Sequence, residues 1–264
     1  MAHDSPPSYS VDEVREALAR GQLLLVYQPI FDLHSGAFIG VEALIRWRHP
    51  VYGLLGPDAL AGALEGGEVA VAILRWTLET ACAQGAAWHD SGYRFRVSVN
   101  VSSGQWAREG LVEDVVDVLE ATRFDPSHLV LEVATATLRA DPDGAARLAA
   151  LGALGVHRAV DDLTPDAEEL NRLAALGVDV VKITPAAADL AAGLDEATLA
   201  ALADRALGLG LQLIAAGIEE IGLRDALVRE RIGSGQGFAL SEPREAEEID
   251  RFLEDFAIFS GKPL

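Results

Sequence analysis

The chain has 264 residues, half of them hydrophobic, and a formal net charge of −20. Such acidity excludes nucleic-acid binding through a general basic surface, so a phosphate ligand must be held locally by an arginine, a metal ion or a helix N-terminus. No apolar run is long enough to span a bilayer, the N-terminus "MAHDSPPSYS" has no signal pattern, and the lone Cys82 allows no internal disulfide, so the expectation is a cytoplasmic protein with no DNA, RNA or membrane partner.

Taken in chain order, "SVDE" at 10–13 is a capping box, with Ser10 as cap and Glu13 three residues on. Strands are expected near 23–29, 38–46, 95–101, 129–134, 156–162, 178–183, 211–216 and 231–236, the last diluted by glycine. Amphipathic helical patterns fall at 68–91, 109–122, 143–154, 166–176, 195–209 and 221–230. Two further helix starts pair a threonine cap with proline, at Thr164-Pro165 and Thr184-Pro185. Alternating strands and helices imply a mostly parallel sheet, and eight units at this length suggest a single TIM-like α/β barrel. The first two strands are joined by only "FDLHSGA", too short for a helical crossover. Strand 1 should therefore run antiparallel to strand 2, giving an irregular (β/α)8 barrel. The expected organisation is a flexible N-terminus over 1–10, a barrel over 11–257 and a tail over 258–264.

Polar residues recur where the apolar runs end: Glu42 and Arg46, Asn100, Glu132, Asp161 with Asp162, Lys182 and Gln236. Active sites of such barrels form at the C-terminal ends of the strands, and a charge there is costly unless paired or bound to metal. Three carboxylates and an amide make an all-oxygen cluster suited to Mg²⁺, Mn²⁺ or Ca²⁺ rather than to structural zinc. Asp162 could help hold a second ion, as in two-metal phosphoester hydrolysis, although alternation points it away from Asp161. Arginines number 19 against two lysines, and Lys182 alone lies outside the tail; it could neutralise an anion or orient a water. Any one of these residues could instead be a paired structural charge or a helix cap. Their recurrence on successive strands is what suggests a site. "GSGQG" at 233–237 reads as a phosphate cradle or a glycine turn, and His49 in "RWRHP" reads as a turn residue.

The segments "YQPIFDLHSGAFIGVEALIRWRHPVYG", "VNVSSGQ", "LEVA", "VDD", "VKI", "AAGIE" and "GQGF" stand in the order of the EAL-domain family, which the chain resembles from about residue 11 to 254. The family comprises cyclic di-GMP phosphodiesterases and their inactive relatives, and the resemblance implies a stand-alone domain with two Mg²⁺ or Mn²⁺ ions. By motif, Glu42, Asn100, Glu132 and Asp161 match first-metal ligands and Asp162 a second-metal ligand. Lys182 and Glu219 match catalytic positions. Gln28, Leu44, Arg46 and Gln236, with Glu42, Asn100 and Asp162, match ligand-binding positions.

The chain also departs from the family pattern. Where the family reads Ala-Glu-Gly-Val-Glu, residues 215–219 read "AAGIE", so Ala216 replaces a glutamate implicated in second-metal binding and water activation. Thr135 replaces the second acid of Glu-x-Thr-Glu, "DDLTPDAEE" carries no glycine where the family has a glycine-containing loop, and Lys-Ile-Asp has become "KIT". These changes imply an intact first metal site, a weakened second one and stiffened loops. The leading expectation is a catalytically impaired cyclic di-GMP receptor. A nucleotide-independent protein-interaction module and a weak metal-dependent phosphodiesterase are the alternatives. A protein partner or a homodimer is possible, but the strand-5 loop near the family's dimer contact is rewritten.

Overall fold

Apolar runs such as Leu129–Ala134 and Val180–Ile183 are almost wholly buried, as strands covered on both faces require. The structure, a computed structural model, describes residues 9–161, 167–184 and 196–260. Its strands are β1 (Leu23–Asp32), β2 (Phe38–His49), β3 (Gly53–Leu55), β4 (Arg96–Val101), β5 (Leu129–Ala134), β6 (His157–Asp161), β7 (Val180–Ile183), β8 (Gln212–Ala215) and β9 (Ser234–Gly235). They form one sheet in the order β1-β9-β8-β7-β6-β5-β4-β2-β3, and an additional β1–β2 pairing closes it. Eight strands thus make a barrel, with β3 outside it on β2. β1 is antiparallel to both its neighbours, β2 and β9, while the pairs from β2–β4 round to β8–β9 are parallel. The irregular barrel read from the short first connection is the one found.

The six expected helices lie at Gly67–Asp90, Leu111–Thr122, Gly144–Ala153, Ala167–Ala175, Glu196–Gly208 and Ile221–Arg229. The Ser10–Glu13 capping box opens a further helix, Val11–Ala19. The expected cap at Thr164-Pro165, and Pro185 of the second Thr-Pro pair, lie outside the described residues. Sequence reading missed β3, the short helix Thr135–Ala140 and the long helix Ala246–Ser260, whose residues Ile249 and Leu253 pack into the core.

Three apolar clusters hold these parts together. The largest lies between the sheet and its surrounding helices. A second seals the end near β1 and β2 around Val14, Trp47 and Leu60. The third, Ile30, Val130, Ala159, Val180 and Ile214, plugs the barrel lumen. His49 does serve the turn after β2: its Nδ1 accepts from the Val51 and Tyr52 amides. The glycines of "GSGQG" make room for Ile218. Gly237 has φ 157, and a Cβ there would lie 2.2 Å from the Ile218 backbone. Only glycine lets the segments after β8 and β9 close on each other, and this closure seats Gln236.

Candidate active site

Glu42 stands in the middle of β2, where neighbouring side chains are apolar and its carboxylate is buried. Three strands bring polar partners to it. Lys182 Nζ from β7 lies 2.7 Å from Glu42 Oε2. Gln236 Nε2, just after β9, donates to the same oxygen at 2.5 Å, and Asn100 Nδ2 from β4 donates to Oε1 at 2.6 Å. Lys182 also lies 2.6 Å from Glu132 Oε2 of β5 as an ion pair, off the direction that a hydrogen bond needs. The lysine therefore bridges two carboxylates across the lumen, with 1% of its surface exposed.

Burial alone would raise the Glu42 pKa. Lys182 and the two amide donors outweigh that and hold it below the usual carboxylate range. Glu132 shifts the other way, because burial and the Glu42 charge outweigh Lys182. Burial would lower Lys182, but Glu132, Glu42 and Asp161 together push it up, so it stays charged.

Above this network Leu44, Arg46, Asn100, Glu132 and Asp161 line a cavity of about 350 Å³. That is the size of a small-molecule site. Arg46 is half-buried and donates from Nη1 to the Ile45 carbonyl at 2.8 Å. Gln28 is buried opposite Glu42 in the β1–β2 register and reaches the Ser241 carbonyl at 3.4 Å. Asp162 lies outside the described residues. Glu219 is exposed, while Ala216 is half-buried at the end of β8, its amide bonded to the Ile183 carbonyl at 2.8 Å.

Among the described residues no three His, Cys, Asp or Glu side chains are arranged to hold a metal ion as they stand. The donor chemistry nonetheless fits one. Glu42, Asn100, Glu132 and Asp161 offer oxygen, and among the described residues neither carboxylate oxygen of Glu132 accepts a well-aligned hydrogen bond although both are buried.

Two features of the mouth were missed in the sequence. Thr135 Oγ1 donates to the Asp161 carbonyl at 2.8 Å, fastening the end of β5 to the end of β6. Glu169 accepts from Arg172 at 2.6 and 2.8 Å and from Arg139 at 3.2 Å, clamping the helix Ala167–Ala175 to Thr135–Ala140. Thr77 and Gln105 also line the cavity. Gln105 was findable, since "SSGQ" at 102–105 forms a capping box with Ser102.

The Glu169 clamp gives a pH-dependent prediction. Its hydrogen bond to Arg172 is the main cause that lowers its pKa to about 2, helped by Arg139. A depressed carboxylate contributes stability above its unfolded value near 4.5 and loses it as pH falls toward the folded value. Glu169→Gln should cost about 1–2 kcal/mol at about pH 6 and almost nothing at about pH 2. Urea melts at the two pH values check this; an equal cost at both would show the clamp to be non-ionic.

The EAL domain family model matches residues 11–243. The chain is 37% identical over 242 residues to the bifunctional diguanylate cyclase/cyclic di-GMP phosphodiesterase MucR of Pseudomonas aeruginosa, covering 90% of this chain and 35% of MucR. It is 32% identical over 257 residues to the cyclic di-GMP phosphodiesterase NbdA of the same organism, covering 96% of this chain and 33% of NbdA. The chain thus spans about a third of the length of these relatives. A solved structure of the P. aeruginosa MucR phosphodiesterase in complex with cyclic di-GMP superposes with a TM-score of 0.83 at 35% identity, covering 90% of this chain and 98% of that one.

Proposed function

The chain belongs to the EAL domain family, and from that premise we propose that it is a cyclic di-GMP receptor whose hydrolytic activity is impaired. One observation carries the impairment: β8 brings no carboxylate to the ring. Ala216 stands at its end, and the acids that follow, Glu219 and Glu220, are exposed. Loss of an acid–base group costs about 10²–10⁴ in rate. Thr135 and the loop after Asp161 add to the change.

Retention of the ligand is supported by the rest of the ring and by the complexed MucR structure. Arg46 at the cavity wall supplies a fixed positive charge for a phosphodiester. Gln28, Leu44, Asn100, Asp162 and Gln236 are the further binding positions. Lys182 bridges Glu42 and Glu132 and offsets part of their charge. Mg²⁺, Mn²⁺ or Ca²⁺ would be held by Glu42, Asn100, Glu132 and Asp161, with Asp162 serving a second ion. Such an ion supplies Lewis-acid polarisation of a phosphoryl oxygen and a more acidic water.

Calorimetric titration with cyclic di-GMP, with and without Mg²⁺ or Ca²⁺, tests the reading. Binding should be saturable, and Arg46→Ala should weaken it about tenfold or more. No heat at high micromolar nucleotide would sink the receptor assignment. A weak phosphodiesterase is the second reading, favoured by the 37% identity to MucR. It requires linear dinucleotide production with Mn²⁺ that Glu42→Ala abolishes.

A further inference from the structure

The barrel has a second mouth, at the N-terminal ends of the parallel strands and across the Ile30–Val130–Val180 plug from the candidate active site. It opens into a cavity of about 240 Å³. Arg96 begins β4, Gln212 begins β8, Ser234 begins β9, and Asp32 ends the antiparallel β1, so the topology gathers all four at one rim. Arg96 Nη1 donates to Gln212 Oε1 at 2.9 Å, and Gln212 Nε2 donates to Ser234 Oγ at 3.2 Å. This chain of bonds orients the amide and leaves the Ser234 hydroxyl proton available.

Arg96 is half-buried, and among the described residues it has no salt-bridge partner. The nearby Asp179 is taken by Arg158, whose Nη2 lies 2.8 Å away. Asp32 is taken by Ser35, whose amide and hydroxyl it accepts at 2.7 and 2.6 Å. In a chain with net charge −20, a guanidinium in a cavity whose one carboxylate, Asp32, is engaged by Ser35 is out of keeping with its surroundings. Its planar fork matches a carboxylate in bidentate fashion. The Asp32 charge on the same rim repels a dianion more than a monoanion. The floor is apolar, with Ile39 and Ile214 among its residues. The volume is about that of eight waters, room for a few heavy atoms only.

We propose that this lower mouth is a binding site for a short-chain aliphatic carboxylate. Arg96 holds the carboxylate, Ser234 donates to it, and Ile39 and Ile214 cover the alkyl tail. The site is separate from the cyclic di-GMP cavity and does not depend on that assignment.

Butyrate, butyramide and inorganic phosphate, each titrated into the full chain and followed by ligand-observed NMR, test the proposal. Butyrate should bind with a Kd of about 1 mM, as expected of a ligand this small. Butyramide and phosphate should bind at least about tenfold more weakly, since one lacks the charge and the other the tail. Arg96→Gln should remove butyrate binding. Ile39→Phe, which fills the cavity and leaves Arg96 in place, should do the same and serves if Arg96→Gln does not fold. Failure of butyrate to bind at tens of millimolar overturns the site. Butyrate binding that survives in Arg96→Gln or Ile39→Phe overturns it also. Equal affinity for phosphate or butyramide overturns the carboxylate class.

Discussion

Replacing Lys182 by methionine should destabilise the protein by about 3–5 kcal/mol, the usual cost of removing one member of a buried ion pair. Two carboxylates depend on this ammonium, at 2.7 and 2.6 Å, and neither can turn toward water, because Glu42 is 6% exposed and Glu132 1%. Methionine matches the stem but leaves the negative charges uncompensated. A chain of this length shifts its Tm by about 2–4 °C per kcal/mol, so a fall of roughly 6–20 °C is expected. Added Mg²⁺ or Ca²⁺ should then raise the Tm of the variant more than that of the wild type, because a dication can neutralise the carboxylates that the lysine no longer reaches. A variant within about 1 kcal/mol of wild type in metal-free buffer would show that the bridge has no structural weight.

Ala216→Glu should recover no more than about tenfold of the 10²–10⁴ that a missing acid–base group costs. The acid returns at the end of β8, but the neighbouring strand ends do not return with it. Thr135 still fastens β5 to the Asp161 carbonyl, and Thr184 still sits beside the turn, its Cγ2 3.5 Å from where a Cβ on Gly217 would lie. Linear dinucleotide formation with Mn²⁺, measured beside the MucR phosphodiesterase domain, is the readout. A single mutant as fast as that domain would show that Ala216 is the whole defect. In the double variant Ala216→Glu/Thr135→Glu the gain should exceed the single one, since residues that act as a unit are not additive.

The parts of the site that were legible in the sequence share one property: each is a charge or amide set into an apolar run. Glu42 in "VEALI", Glu132 in "LVLEV" and Lys182 in "VVKI" are conspicuous because burial of an unpaired charge is so costly. Their pairing was not legible, because Lys182 and Glu42 lie 140 positions apart. The barrel was legible through alternation and through the short first connection. Thr135 was read as the loss of an acid, and only the structure gives its hydroxyl a partner. The Arg139–Glu169 clamp and the Arg96–Gln212–Ser234 chain escaped for the same reason: each joins residues that lie far apart in the sequence. β3 is three residues long and mostly exposed, with no periodicity to detect.

The antiparallel first strand has a consequence for synthesis. β1 waits on its second neighbour: Phe31 and Asp32 pair with Gly235 and Ser234, and Tyr27 exchanges backbone bonds with Arg244. A ribosome adding about 5–20 residues per second needs roughly 10–40 s to travel from Tyr27 to Arg244. Throughout that interval the hairpin of β1 and β2 emerges with one edge of β1 unpaired and its apolar face uncovered. An open strand edge of this kind recruits other chains. The emerging barrel is therefore most vulnerable to aggregation while its first hairpin waits, and the segment from Ser234 to Arg244 ends the danger by closing the ring.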